Sequence, residues 1–541
     1  MNKRQLPSRP NIELYKKLAK DVVKAWKQPG TIRWEGQDIP IDRYHISQRH
    51  PRLEKLSPEE IDRAKFVLAD AQFIIAREYG FESWPKFVAG IEDAIANQSP
   101  YRGFIRVACA PLDGTSHQAG ELREANEILS EFPDLAKKDI FVAAILGDHS
   151  TVEQFLNANP KSAKKKGGPN KWDALTYLCF SRYLRLDTAR SDSFVNTATA
   201  LLKAGANPNS GWNDRTHSPT PEWESVLYGA SGFAQHAGVT KVLLDFGADP
   251  NDNETPYHSP ESYDNRALEA LLESGKLNAK SLSMMLIRKA DWHDLDGVKL
   301  LLEHGADPNL MTQWGVTSLH QAIKRGNQLA NIELMLDHGA DPHLPKNSDK
   351  RTAITIAARR GRGDVLKAMK DRGFDIDATD ELESLIQACA LDDRDSIATA
   401  SQESIQLLKS QGSLLAEFAG TGNAAGVHNL LGLGIPVDSR YGGDGYFGIP
   451  WNSTALHIAS WKAHHESVKL LIERGADINA VDGNGRTALA LAVRACVDSY
   501  WTARRKPDSV RYLLEAGAQP TGIRLPSGYD EVDALLVDAV L

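Results

Sequence analysis

Aromatic residues, histidines and acids are interspersed in four segments of the chain, at 207–223, 249–264, 437–453 and 497–509. Aromatic faces beside carboxylates and imidazoles suit a polar organic ligand such as a sugar, or a peptide anchored by buried aromatics. In the alternative interpretation, the same aromatics only fasten long loops to the body of the protein. The candidate ligand-binding residues are Trp212, His217, Trp223, Tyr257, His258, Tyr441, Asp444, Tyr446, Trp451, Asp498, Tyr500, Trp501 and Arg504.

Acids in these segments could also act as a catalytic pair on a carbohydrate. Hydrolysis of a glycosidic bond needs two carboxyl groups about 5–10 Å apart, and a sequence does not give that distance. In this alternative the site lies between the segments 207–264 and 437–453. The nominated acids are Asp214, Asp252, Asp444 and Asp498.

Glycines and arginines in the last two segments have competing interpretations. Gly443, Gly445 and Gly448 match G-x-G-x-x-G, but Pro450 follows and no strand-helix-strand pattern surrounds them, so a loop is expected instead of a dinucleotide site. Arginines around Trp501 could clamp an anion, or they could complement the dipole at a helix end. The sequence contains no P-loop, HExxH, nucleophile elbow or zinc spacing, so it predicts no metal or cofactor and leaves the catalytic residues, if there are any, unknown.

A recurring phrase separates these segments and defines the elements that must position them. It reads LLKAGANPN at 201–209, LLEHGADPN at 301–309, MLDHGADPH at 335–343 and LIERGADIN at 471–479, with further copies at 243–251 and 513–521. The leucines close the buried stripe of a helix, the glycine ends it in a left-handed conformation, and Asp-Pro or Asn-Pro starts an extended turn. Short apolar segments with helical periodicity precede each stop, so each unit is helix, turn, helix and loop.

The phrase and its spacing resemble the ankyrin repeat family. The family's Gly-Ala-Asp-Pro/Ile-Asn end is matched closely, whereas its Thr-Pro-Leu-His start is eroded and its histidine remains only as His320 and His457. The resemblance implies an all-α fold: a solenoid of about ten helix-turn-helix units over 121–541, with the four aromatic segments as insertions. It also implies that both histidines form hydrogen bonds between neighbouring units.

The first 120 residues are expected to form a separate helical cap region. Helical spacing predicts a helix over 11–27, and Ser57 with Glu60 forms a capping box ahead of an apolar stripe that runs to Ile75. Gly80 is expected to stop that helix, and Ser83 to begin another that runs to about residue 96. The segments 75–87 and 490–518 are similar to the two ends of a broad class of bacterial ankyrin repeat proteins, which implies a bacterial cytoplasmic protein.

Composition narrows the classes of partner. Of 541 residues, 63 are Lys or Arg and 71 are Asp or Glu, so the net charge is -8. An acidic chain without a long apolar run argues against nucleic acid and membranes as partners. The four cysteines are far apart and are expected to be buried apolar residues in a reducing compartment.

A binding protein is the function that the sequence favours. A preformed concave surface with aromatic insertions would hold a protein partner, and the enzyme acting on a polar small molecule is the alternative. If the insertions converge on a closed pocket that holds perturbed acids or histidines, the enzyme gains support.

Overall fold

The fold is mostly helical and divides into two compact units, Met1–Leu277 and Asn278–Leu541. The boundary expected at residue 120 lies inside the first unit and remains a prediction. In the part of the chain described here, no helix combines the length and the apolar character needed to cross a membrane. The computed structural model describes residues 10–28, 30–34, 37–96, 99–112, 116–118, 120–216, 220–378, 380–499 and 501–539.

The first hundred residues combine helices with a β-hairpin. The expected helix over 11–27 is confirmed, and Asn11 caps its first turn. Apolar side chains from the helices and from the first strand share one core. The elements are α1 (Ile12–Lys27), β1 (Gly30–Trp34), β2 (Gln37–Ile41), α2 (Arg43–Ser47), α3 (Pro58–Arg63), α4 (Leu68–Glu78) and α5 (Trp84–Ala96).

The hairpin of β1 and β2 corrects the purely helical prediction for this region. Its antiparallel register pairs Ile32 with Ile39 and Trp34 with Gln37. Alternation along β1 buries Ile32 and Trp34, and the Trp34 Nε1 donates a hydrogen bond to the Tyr79 hydroxyl at 3.1 Å. The sequence of β1 does alternate apolar and polar residues, but the alternation covers only five residues and is weaker than the helical pattern around it.

The capping box of Ser57 and Glu60 is confirmed, but the helix that follows it is broken. The predicted stripe from Ile61 to Ile75 is divided between α3 and α4, because the chain leaves the helix to stack Phe66 on Trp26, with ring centroids 4.6 Å apart. Burial of two large rings outweighs the few backbone hydrogen bonds that the break removes.

The remainder of the first unit carries paired helices interrupted by a second hairpin. The two four-residue strands of this hairpin lie in and next to the segment 207–223, where the sequence predicted only a long insertion. The elements are α6 (Pro100–Ala108), α7 (Arg123–Glu131), α8 (Ile140–Ile145), α9 (His149–Ala158), α10 (Ala174–Cys179), α11 (Arg182–Leu186), α12 (Ser191–Lys203), β3 (Gly211–Asp214), β4 (Glu222–Ser225), α13 (Val226–Tyr228), α14 (Ala237–Asp245), α15 (Glu254–His258) and α16 (Arg266–Glu273).

The second unit is a succession of helix pairs in which each helix packs against its counterpart in the next pair. For example, α17 packs on α19 and α19 on α21, while α18 packs on α20. Its elements are α17 (Ala279–Asp291), α18 (Leu295–Glu303), α19 (Ser318–Arg325), α20 (Leu329–Asp337), α21 (Ala353–Arg359), α22 (Gly363–Asp371), α23 (Glu381–Leu391), α24 (Arg394–Ala398), α25 (Gln402–Lys409), α26 (Ser413–Ala419), α27 (Ala424–Gly432), α28 (Ala455–Trp461), α29 (His465–Glu473), α30 (Ala488–Asp498), α31 (Asp508–Glu515) and α32 (Asp530–Asp538).

The predicted helix stops are confirmed. Gly339, for instance, has φ +84° two residues after the end of α20, in the left-handed region that favours glycine. The loop that follows is tied to its neighbour, because the Asn309 side chain donates to the Gly339 carbonyl and accepts from the Asp341 amide. The other repeat glycines with positive φ are Gly205, Gly247, Gly305, Gly373, Gly434, Gly475 and Gly517.

The two repeat histidines, His320 and His457, form hydrogen bonds between neighbouring helix-turn-helix repeats of the second unit, as expected. His320 Nδ1 accepts a hydrogen bond from the Thr317 amide, and its Nε2 donates to the Leu344 carbonyl at 2.9 Å. His457 repeats this arrangement with Thr454 and the Arg486 carbonyl. The four cysteines are all buried, which confirms their assignment as small core residues.

Candidate functional site

In the first unit, the hairpin of β3 and β4 carries acids on its buried face. Its register places Trp212 opposite Glu224 and Asp214 opposite Glu222, so these four side chains share one face. Gly211 permits the close pairing, since a Cβ there would lie 2.2 Å from the Glu224 carbonyl oxygen. The strand alternation therefore turns charged groups toward the interior.

Histidines and a tyrosine surround this face. His117 Nε2 lies 3.2 Å from an Asp214 carboxylate oxygen, and its Nδ1 lies 2.8 Å from the Tyr228 hydroxyl. On α15, His258 Nε2 lies 3.1 Å from the Glu254 carboxylate. We call Asp214, Glu222, Glu224, Glu254 and His117 the acidic cluster.

Burial and crowding shift the pKa values here in opposite directions. The pKa of the Glu224 carboxyl is raised to about 8, mainly by burial and additionally by the nearby Glu254 and Asp214 carboxylates. For His258, burial lowers the pKa, but hydrogen bonds to Glu254 and Glu261 outweigh it and bring the value to about 9. The site therefore stabilises positive charge and opposes additional negative charge.

A cavity of about 400 Å³ adjoins the acidic cluster. Trp172, Trp212 and Trp223 line it together with Lys166 and Asp214, so aromatic faces lead to a carboxylate that belongs to the cluster. The cavity gives a small polar molecule or an ion a route to that carboxylate.

In the second unit, the insertion 437–453 is held by contacts at Tyr446. The Tyr446 hydroxyl donates to the Asp291 carbonyl at 2.7 Å, and the Arg325 guanidinium lies over its ring at 3.3 Å from the centroid. Arg325 also contacts the Asp291 carboxylate at 2.7 Å. The insertion thus covers the ends of α17 and α19.

Phe447 anchors the same insertion deeper in the second unit. It is 2% exposed, lies 5.3 Å from the Trp501 ring and accepts a hydrogen bond on its carbonyl from Trp461 Nε1. The Lys462 ammonium lies 4.6 Å from the Phe447 ring centroid, and the Arg504 guanidinium lies 5.0 Å from that of Trp501. Cations and aromatic faces therefore alternate, as in cation–π stacks.

Positive charge is concentrated around these rings. Burial and the neighbouring Arg360 lower the pKa of Lys462 to about 8, and burial with the charge on Lys462 lowers that of His293 to about 4. Burial also lowers the pKa of Arg504 to about 10. We call His293, Arg325, Arg360, Lys462 and Arg504 the basic cluster.

A groove of about 250 Å³ lies across α19, α21 and α26 of the second unit. Glu417 is the acidic residue of its lining and pairs with Arg360 at 3.0 Å. Burial and neighbouring arginines lower the pKa of Lys324, which indicates a positive surrounding potential. The basic side chains of the lining are Lys324, Lys346, Arg351, Arg359 and Arg360.

The sequence-predicted residues divide between these places. Trp212 and His258 lie at the acidic cluster, with Tyr257 packed against His258, while Trp223 lines the adjacent cavity. His217 and Tyr500 lie outside the described residues. In the second unit the structure brings together Tyr441, Asp444, Tyr446, Trp501 and Arg504.

Two predicted candidates in the second unit, Trp451 and Asp498, lie at the protein surface. Trp451 is 67% exposed, and Asp498 pairs at 3.3 Å with Arg494 on the solvent side of α30. Gly443 and Gly448 have positive φ in a turn closed between Asp444 and Ile449, which confirms a loop there.

The nominated catalytic acids have different hydrogen-bond partners, and their catalytic role remains a prediction. Asp214 belongs to the acidic cluster, whereas Asp252 accepts hydrogen bonds from the Ser225 hydroxyl and from the Thr255 amide in the first turn of α15. Asp444 accepts from the Tyr446 amide. Burial raises the pKa of Asp252, and its hydrogen bond from the Thr255 amide gives the carboxylate a structural role at the first turn of α15.

Sequence reasoning missed the central acids of the first unit. Glu224 lies one residue beyond the predicted insertion 207–223, and the alternation of Glu222, Trp223 and Glu224 was the signal for a strand with one acidic face. His117 is 97 positions from Asp214, so no local pattern connects them.

Comparison with known proteins identifies the repeats. Residues 285–380 and 415–522 match the family model described as ankyrin repeats (3 copies). A stretch of 294 residues is 27% identical to the human transient receptor potential cation channel subfamily A member 1, covering 52% of this chain and 23% of that protein. Over 69 residues the chain is 42% identical to mouse protein phosphatase 1 regulatory subunit 27, covering 13% of this chain and 39% of that protein.

Among solved structures, the human ASB11 ankyrin repeat domain aligns with 49% of this chain and 98% of its own length, at 21% identity and a TM-score of 0.22. The chain spans less than half the length of the two curated relatives it matches. The family model identifies residues 285–380 and 415–522 as ankyrin repeats.

Proposed function

We propose that the chain is a binding protein whose second unit holds an acidic segment of a protein partner. The groove across α19, α21 and α26 carries this proposal, because five basic side chains line it beside a single acid. Ankyrin repeats are typically protein-interaction modules, and a preformed groove binds without the cost of ordering a flexible surface.

The charges of the groove favour an acidic partner over a neutral one. Arg359 and Arg360 already pair with Glu383 and Glu417, so they are held in place by the protein itself. Lys324 and Arg351 lie in the same lining, and carboxylates of a partner would meet them in a partly desolvated place. Exposed aromatic side chains of the same unit, such as Trp451, would add apolar contact area.

The proposal also includes the arrangement of repeats along the chain. We infer a solenoid of about ten repeat units over 121–541, preceded by a separate cap region at 1–120, in a bacterial cytoplasmic protein. The repeated helix pairs, and the Asn209 side chain that donates to the Gly247 carbonyl, support stacking beyond the residues that the family model matches.

Charge reversal tests the proposed groove. The full chain and the double variant Lys324→Glu, Arg351→Glu would be immobilised, and partners captured from the source organism quantified by mass spectrometry. The control, Lys299→Glu with Lys367→Glu, makes the same charge change on α18 and α22. We expect a partner retained by the control and weakened about tenfold or more by the groove variant. Equal recovery with all three proteins would contradict the proposal.

A second candidate function is action on a polar small molecule at the first unit. The cavity of about 400 Å³ supports it, since three tryptophans line it together with Asp214. Asp214 also belongs to the acidic cluster, in which the pKa of Glu224 is raised. Titration with a panel of monosaccharides, followed by tryptophan fluorescence, tests this candidate. A response lost in Trp223→Ala would support it, and an unchanged signal across the panel would remove it.

A further inference from the structure

The acidic cluster has the spacing of ligands around a metal ion. One ligand atom each from His117, Asp214 and Glu224 lie within 4.8 Å of one another, and the same holds for Glu222, Glu224 and Glu254. Ligands that share one ion at about 2.0–2.6 Å are separated by distances of this order. Glu224 belongs to both sets and occupies their common corner.

Glu224 provides a second observation, independent of this spacing. The residue is 1% exposed, and in the described part of the chain its Oε2 has no hydrogen-bond partner. Buried carboxylate oxygens are nearly always satisfied, because leaving one unpaired costs its full desolvation energy. The Trp212 Nε1, on the same hairpin face, is likewise buried without a partner. The unpaired Glu224 oxygen therefore has lone pairs that a cation would satisfy.

The surrounding hydrogen bonds hold the ligand groups in suitable orientations. The Tyr228 hydroxyl contacts His117 Nδ1, which leaves Nε2 directed toward Asp214. The other Asp214 oxygen accepts from the Thr216 amide at 2.7 Å. Metal-binding imidazoles and carboxylates are usually fixed by such outer contacts.

We propose that the acidic cluster binds a divalent cation, with Glu224 as the shared ligand. One imidazole among carboxylates suits Mn²⁺, since imidazole favours later transition metals and carboxylates favour Mg²⁺, Ca²⁺ and Mn²⁺. The tryptophan-lined cavity at Asp214 provides the entry path. This site is independent of the groove of the second unit, so either proposal can fail without the other.

Calorimetric titration of the EDTA-treated full chain with MnCl₂ tests the site, with ZnCl₂, MgCl₂ and CaCl₂ as parallel arms. We expect saturable binding of Mn²⁺, and Glu224→Gln to weaken it about 100-fold. The matched control Glu269→Gln changes an exposed acid on α16 and should bind as the wild type does.

Two further variants keep the test decisive. Tyr228→Phe removes only the hydroxyl behind His117 and should weaken binding about tenfold. If Glu224→Gln fails to fold, judged by circular dichroism, Asp214→Asn provides the same comparison. Absence of saturable binding in all four arms, or wild-type affinity in a folded Glu224→Gln, would overturn the proposal.

Discussion

The acidic cluster of the first unit and the basic cluster of the second bury charges of opposite sign, and they compensate them differently. In the basic cluster, Arg325 pairs with Asp291 and lies on the Tyr446 ring, while Lys462 lies against Phe447. In the acidic cluster, the Glu224 carboxylate meets other carboxylates, and one of its oxygens has no partner among the described residues. Cations can be partly compensated by aromatic faces, whereas carboxylates need a positive charge or a donor.

This difference indicates two kinds of ligand. The basic cluster is largely complete within the protein, and the nearby groove would recruit acidic side chains at its surface. In the acidic cluster, closely spaced ligand atoms and the unpaired Glu224 oxygen favour a small cation over a macromolecule as the ligand. The predictions below are ordered from the largest expected effect to the smallest.

Phe447→Ala should give the largest loss, because the basic cluster depends on its ring. Removal of a fully buried phenylalanine costs about 3–5 kcal/mol, and here it also removes the aromatic face under Lys462. Urea unfolding followed by fluorescence measures the change. Trp451→Ala in the same insertion is the control and should cost less than about 0.5 kcal/mol. Equal losses for both variants would show that the insertion is not anchored at Phe447.

Acid should weaken the second unit through His293. Its pKa is about 4 in the folded state and near 6.5 when unfolded, so the unfolded chain binds the proton first as the pH falls. The stability is complete above about pH 6.5 and declines by about 2–3 kcal/mol toward pH 4. His293→Asn, which tolerates the positive φ of this residue, should flatten the decline between pH 6.5 and 4. An identical pH dependence in the variant would contradict this role.

Glu224→Gln should stabilise the metal-free protein by about 1–2 kcal/mol. The substitution keeps the shape of the side chain but removes an acid crowded by Glu254 and Asp214. Thermal unfolding in EDTA measures the gain. A loss of stability would indicate that the carboxylate is already compensated, which would remove the contrast between the two clusters.

Lys462→Met should have the smallest effect, a gain of about 1 kcal/mol. A methionine would fill the same space against Phe447 and Trp501 without a buried ammonium group. Urea unfolding is again the measurement. A loss above about 1 kcal/mol would indicate that the cation–π contacts exceed the cost of burying the charge.

The repeat scaffold could be predicted from sequence because its determinants are local. The left-handed glycine in each repeated phrase, the capping box at Ser57 and the bridging contacts of His320 and His457 all follow from short motifs. Each helix-turn-helix repeat makes the same kind of contact with the next repeat, so a few residue types determine many contacts.

The sites could not be predicted to the same extent because they depend on distant contacts. The hairpin of β3 and β4 turns Glu224 inward, and only the folded chain brings His117 to Asp214. Aromatic composition located the insertions and several of the contacting residues. It did not distinguish the buried Phe447, which holds its insertion in place, from the exposed Trp451.

Crystals soaked in MnCl₂ and measured at a wavelength with strong manganese anomalous scattering test the contrast between the clusters most directly. We predict an anomalous peak at about 2.0–2.6 Å from the Glu224 carboxylate, and none among Arg325, Lys462 and Arg504. A saturating soak with no peak at Glu224, or with manganese at the basic cluster, would contradict the account.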